Sequence, residues 1–166
     1  MGAWGTSYFD NDMACDCWAE LKHEKTENAL DQLLSNLKTV AENNSYIEND
    51  ETESIIVCSL LIIMFSFNNW INEMFNEKDI PKYIQEEINQ FLIRYQKDWD
   101  ENYKNKRIEI GNEESKSLTI PQLANLSLQK VLNPKISESC ELWEETNYYD
   151  EWKQRIQILI DKLEKM

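Results

Sequence analysis

Apolar residues recur at helical spacing along most of this chain, and one run differs from the others by having no polar face. From Ile55 to Phe67 the sequence reads Ile-Ile-Val-Cys-Ser-Leu-Leu-Ile-Ile-Met-Phe-Ser-Phe, without a single charge. A helix with one apolar stripe lies on a surface, whereas a helix apolar on every side must be covered on every side. As a helix the run reaches about 20 Å, at about 1.5 Å per residue. That is short of a bilayer core of roughly 30 Å. Asp50, Glu51 and Glu53 place acids at the positive end of its dipole, and Trp70, Ile71, Met74 and Phe75 continue the spacing. The pattern predicts a buried central helix over about 51–75. Its alternative is a buried strand, since short apolar runs do not separate the two.

The flanking segments read as amphipathic helices that cover this one. Asp10-Asn11-Asp12 offers N-caps ahead of Ala14, Cys17, Trp18 and Leu21, predicting a helix over 11–23. Thr26 opens a second, whose stripe is Ala29, Leu30, Leu33, Leu34, Leu37, Val40 and Ala41, ending near Asn43-Asn44. Pro81 suits the first turn of a third, carrying Ile84, Ile88, Phe91, Leu92, Tyr95 and Trp99 inward. Residues 98–117 are polar and mixed in charge, and read as a loop with a short strand at Arg107–Ile110. Leu118–Leu132, a short capped segment at 137–145 and a final helix over 148–164 complete the pattern, the last burying Trp152, Ile156, Leu159, Ile160 and Leu163. The first nine residues combine Gly2 and Gly5 with Trp4, Tyr8 and Phe9, which suits an arm docked on the body. The expectation is one all-α domain of about six helices spanning residues 1–166.

Composition sharpens the functional side. With 31 acids against 17 Lys and Arg, the formal charge is −14. Such a balance disfavours nucleic acid, whose binding depends on Lys and Arg displacing counterions, and disfavours anionic membrane surfaces for the same reason. It suits a basic protein partner, since charge steers association. From Thr39 to Glu77 there are seven acids and no Lys or Arg. No leader-like apolar stretch opens the chain, so a cytoplasmic location is expected, with Cys15, Cys17, Cys58 and Cys140 as reduced thiols. Met1-Gly2-Ala3-Trp4-Gly5-Thr6 fits an N-myristoylation pattern, but no basic cluster follows to supply a second membrane signal.

Candidate chemistry is sparse. Asp10, Asp12 and Asp16 are clustered carboxylates of the kind that hold hard cations, yet the glycine and distal glutamate of a calcium loop are missing, and helix capping accounts for two of them. Cys15 and Cys17 stand two apart on a helix and point about 200° from one another, so with His23 they do not make a zinc site. His23 is the lone histidine, with no nucleophile near it in sequence. No phosphate loop or serine elbow occurs, and no cofactor is implied. The stretch from Glu138 to Trp152 interleaves Trp143, Tyr148, Tyr149 and Trp152 with Glu141, Glu144, Glu145 and other acids, without Lys or Arg. Its bland reading is core tryptophans beside a solvated acidic face; its functional reading is a surface for a basic partner.

Met1-Gly2-Ala3-Trp4-Gly5, with Phe9, Asp10, Asn11, Asp12, Ala14, Asp16 and Trp18, resembles the opening of bacterial proteins grouped as Domain of Unknown Function family 4259. Ser139, Glu141, Leu142, Trp143 and Glu144, with Trp152, are similar to that family's closing signature. Ser7 departs from the family's usual glycine, and Cys17 precedes Trp18 where other residues are common. The resemblance implies a small, mostly helical bacterial cytosolic protein without an established activity, and families of this type are associated with toxin-neutralising immunity proteins. Signatures confined to the two ends predict that the Trp4 arm packs against Trp143 over the central helix. The expected function is therefore a non-enzymatic acidic protein that binds a basic partner such as a toxin, through Trp4, Asp10, Asp12, Glu141, Trp143, Glu144 and Glu145. The alternative is a metal-dependent or carboxylate-based enzyme using Asp10, Asp12 and Asp16.

Overall fold

The structure, a computed structural model, describes residues 5–23, 28–67, 70, 75–76, 78–111 and 116–166. Among these it holds seven α-helices: α1 (Asp12–His23), α2 (Ala29–Glu42), α3 (Asn49–Ser66), α4 (Lys82–Asp98), α5 (Ile120–Val131), α6 (Glu138–Glu144) and α7 (Tyr149–Leu163). The protein is all-α, with one small two-stranded sheet. No described helix is long and apolar enough to cross a membrane.

The uncharged run forms the centre. Every residue from Ile55 to Phe65 is buried, and α3 contacts each of the other six helices. Its first turn is fixed by a reciprocal cap, in which the Glu48 N–H donates to Glu51 Oε2 at 2.9 Å. The helix is shorter than the spacing predicts. It closes at Ser66, where Phe67 turns to extended backbone (φ −127°, ψ 110°), so Trp70 and Phe75 reach the core from beyond the helix end. In α2 the stripe from Ala29 to Ala41 is buried in full, and Asn28 caps it through the Leu30 N–H at 3.0 Å.

The segment expected to be a polar loop is built instead. After α4 the chain makes one wider π-type turn over Trp99–Tyr103, which keeps both rings inward; Trp99 stacks on Phe65 at 4.8 Å. The strand expected at Arg107–Ile110 (β1) is present, and it pairs antiparallel with Lys116–Thr119 (β2), a partner the polar sequence did not announce. β2 takes Leu118 and Thr119, so α5 begins at Ile120, capped reciprocally by Thr119 and Gln122.

In the described part of the arm, Ser7, Tyr8 and Phe9 are buried. Trp4 lies outside the described residues, and with it the expected packing of Trp4 on Trp143.

Candidate functional site

Arg155, on the second turn of α7, joins the two ends of the chain. Its guanidinium donates to Asp79 Oδ1 at 2.8 Å and to Thr6 Oγ1 at 3.2 Å, and lies 3.6 Å from Glu151. The Thr6 hydroxyl donates in turn to Glu151, the Ser7 hydroxyl to the Asp79 carbonyl at 2.7 Å, and the Tyr8 hydroxyl to the Arg155 carbonyl at 3.1 Å. Ser7, where the resemblance expects glycine, thus works as an anchor. At Gly5 an added Cβ would collide with the Asp10 carboxylate, which accepts the Ser7 N–H at 3.1 Å. That close approach explains a glycine at the site.

Between this anchored arm and α6–α7 lies a cleft of about 850 Å³. Asp10, Asp12 and Asp16 line one side, from the arm and α1, and Leu142, Trp143 and Tyr148 line the other. Of these rings Trp143 is backed by the buried Trp152, which also stacks on Tyr149, with centroids at 6.0 and 6.1 Å and interplanar angles of 17°. Asn49 and Glu53 reach the cleft from the first turns of α3 and form its floor.

Glu53 is the unusual group. It is only 5% exposed, and burial pushes its carboxyl up to about 7, against a smaller opposing effect of a hydrogen bond with the Asn11 side chain. Asn11 Oδ1 is already committed to capping α1, accepting the Ala14 N–H at 2.7 Å, which leaves its amide group for Glu53. No cation pairs with Glu53 among the described residues. Beneath the cleft a second chamber of about 10 Å³, room for roughly one water, is lined by Glu53, Asn11, Thr6, Ser7 and Trp152 among others. Among the described residues the buried Trp152 indole N–H has no acceptor.

The structure thus gathers Asp10, Asp12, Asp16 and Trp143, which the sequence singles out, around one cavity. It does not add Glu141, Glu144 and Glu145, which are exposed and do not line the cleft. Glu141 accepts the Tyr46 hydroxyl at 2.8 Å, and that bond pushes Tyr46 up to about 12. The three aspartates spread along the rim, and among the described residues no three His, Cys, Asp or Glu side chains are placed to hold a metal ion. All four cysteines are free, with Cys17 buried in the core and apart from any cluster with His23. Sequence reasoning missed Glu53, Arg155 and the polar edge of Trp152. The available signals were an acid two positions before the uncharged run and a lone Arg between Trp152 and Ile156 on the buried face of the last helix.

The fold and cavity define a helical protein with an acidic cleft, aromatic on one side and held between the two ends of its chain. The chain belongs to the family described as Domain of unknown function (DUF4259), whose model matches residues 2–155. That span takes in both sides of the cleft. No curated protein and no solved structure matches the chain.

Proposed function

We propose that this is a binding protein whose cleft receives a cationic side chain of a basic protein partner. The observation that carries the reading is the composition of the cleft: carboxylates on one side, the rings of Trp143 and Tyr148 on the other, and at the floor an acid with no counter-ion among the described residues. Cations are drawn to such a site by charge and by the faces of aromatic rings. A cavity of about 850 Å³ lies within the range of ligand sites and has room for more than one side chain. Of the two cations on its edge, Arg155 is tied to Asp79 and Glu151, and Lys78 lines the cleft from the loop before α4. The overall charge of −14 would steer a basic protein, such as a toxin, toward this molecule. Cytoplasmic neutralisation of such a protein is the physiological form the reading takes.

Titration of a short capped oligolysine peptide tests it. Asp12→Asn/Asp16→Asn should weaken binding about thirtyfold, each lost charge near a half-buried cation counting for about a kcal/mol. Glu141→Gln/Glu144→Gln/Glu145→Gln should bind as wild type. The reverse order of effects would move the surface to the exposed Glu141–Glu145 face.

One observation favours a second reading. A carboxyl pushed up to about 7 inside a cleft is suited to general acid–base chemistry. That reading requires turnover abolished by Glu53→Gln with ligand binding retained.

A further inference from the structure

We propose that the cleft takes up a lysine- or arginine-type cation in exchange for the proton on Glu53. The inference rests on the cationic-ligand reading and adds the residue that receives the charge and the event that accompanies binding.

Three features of the floor support it. Glu53 comes from the second turn of the central helix, is itself buried, and lines both the cleft and the small chamber beneath it. A carboxylate offers about four acceptor positions, and among the described residues Asn11 is its one hydrogen-bonding partner. An ionised acid so placed lacks most of its partners, and a protonated one needs fewer; burial accordingly holds the group at about 7. The Trp152 N–H, unpartnered on the same small chamber, marks a place for one water. Such a water accepts from the indole and donates to the carboxylate, so it supports the ionised form once a cation has entered above it.

The charged groups facing Glu53 leave this role open. Asp10 from the arm, Asp12 and Asp16 from α1 and Glu151 from α7 line the same cleft and add to its negative charge, while burial is what raises Glu53. Arg155 from α7 is turned to Asp79 and Glu151, and Lys78 belongs to the loop before α4. α6 contributes Leu142 and Trp143, which carry no charge. The balance is simple: the cation enters, the Glu53 O–H proton leaves to solvent, and an ion pair replaces a neutral acid.

The test is calorimetric titration of the full-length protein with capped oligolysine at about pH 6 and about pH 8, in buffers of different ionisation enthalpy. Wild type should release close to one proton per bound cation at the lower pH and almost none at the higher, with affinity rising about tenfold between them. Glu53→Gln should bind more weakly, with no release and no pH dependence of this origin. Binding by wild type without proton release overturns the inference while leaving the cleft reading intact, because a cation held at the cleft rim by Asp12 and Asp16 leaves Glu53 protonated. Absence of binding at either pH overturns both. The proton count is read on wild type, so it does not depend on how the variant folds. As a second readout, the Trp152 indole N–H resonance should titrate with Glu53 and become flat in Glu53→Gln.

Discussion

At the scale of single residues, Glu53 is where stability and site chemistry oppose one another. Its ordinary value is 4.5 and its folded value about 7, so the folded state holds the proton more tightly than the unfolded state. The stabilising contribution is therefore complete below about pH 4.5 and is lost as pH rises through about 7. Between those limits wild type should lose up to ~3 kcal/mol relative to Glu53→Gln, whose stability should lack this component. Urea unfolding of the two proteins from about pH 4 to pH 8 checks it; parallel curves would show that Glu53 is solvated. Gly5 is the second informative residue. Gly5→Ala sets a methyl group against Asp10, displaces the carboxylate from the Ser7 N–H and should cost about 1–3 kcal/mol. Retention of wild-type stability would mean that the arm shifts freely.

At the scale of elements, the helices follow from apolar spacing, and the departures follow from interactions that spacing does not encode. The α2 stripe is legible because every third or fourth residue from Ala29 to Ala41 is apolar and each is buried. The early end of α3 is not legible, because Trp70 and Phe75 keep helical spacing and enter the same core from outside the helix. β1 is legible at Arg107–Ile110, but its partner β2 escapes notice because it is four residues long and largely polar, so pairing rather than pattern defines it. The candidate site was half legible in the same way. Capping aspartates and tryptophans announce themselves by type, whereas Glu53 reads as an ordinary dipole acid until burial is known. Two expectations belong here. Ile62→Ala, at a fully buried position of α3, should cost about 2–5 kcal/mol and lower the melting temperature accordingly. Asn28→Ala removes the α2 cap and the amide that donates to Asp98 at 2.6 Å, and should cost about 1–2 kcal/mol. Denaturant midpoints measure both, and a larger loss from Asn28→Ala than from Ile62→Ala would contradict the central place of α3.

At the scale of the whole molecule, the chain brings its two ends together over its most apolar helix and leaves a cleft between them. Arg155, Asp79, Glu151 and the arm from Thr6 to Tyr8 hold that arrangement, and the acids they do not neutralise face the opening. The central claim is that this cleft, rather than the exposed acids of α6, is where a basic partner engages. Mapping amide and indole resonances of the labelled protein during titration with the capped oligolysine peptide tests it most directly. The account predicts shifts concentrated at Thr6, Asn11, Asp12, Glu53 and the indoles of Trp143 and Trp152. Shifts confined to Glu141, Glu144 and Glu145, with the cleft silent, would contradict it.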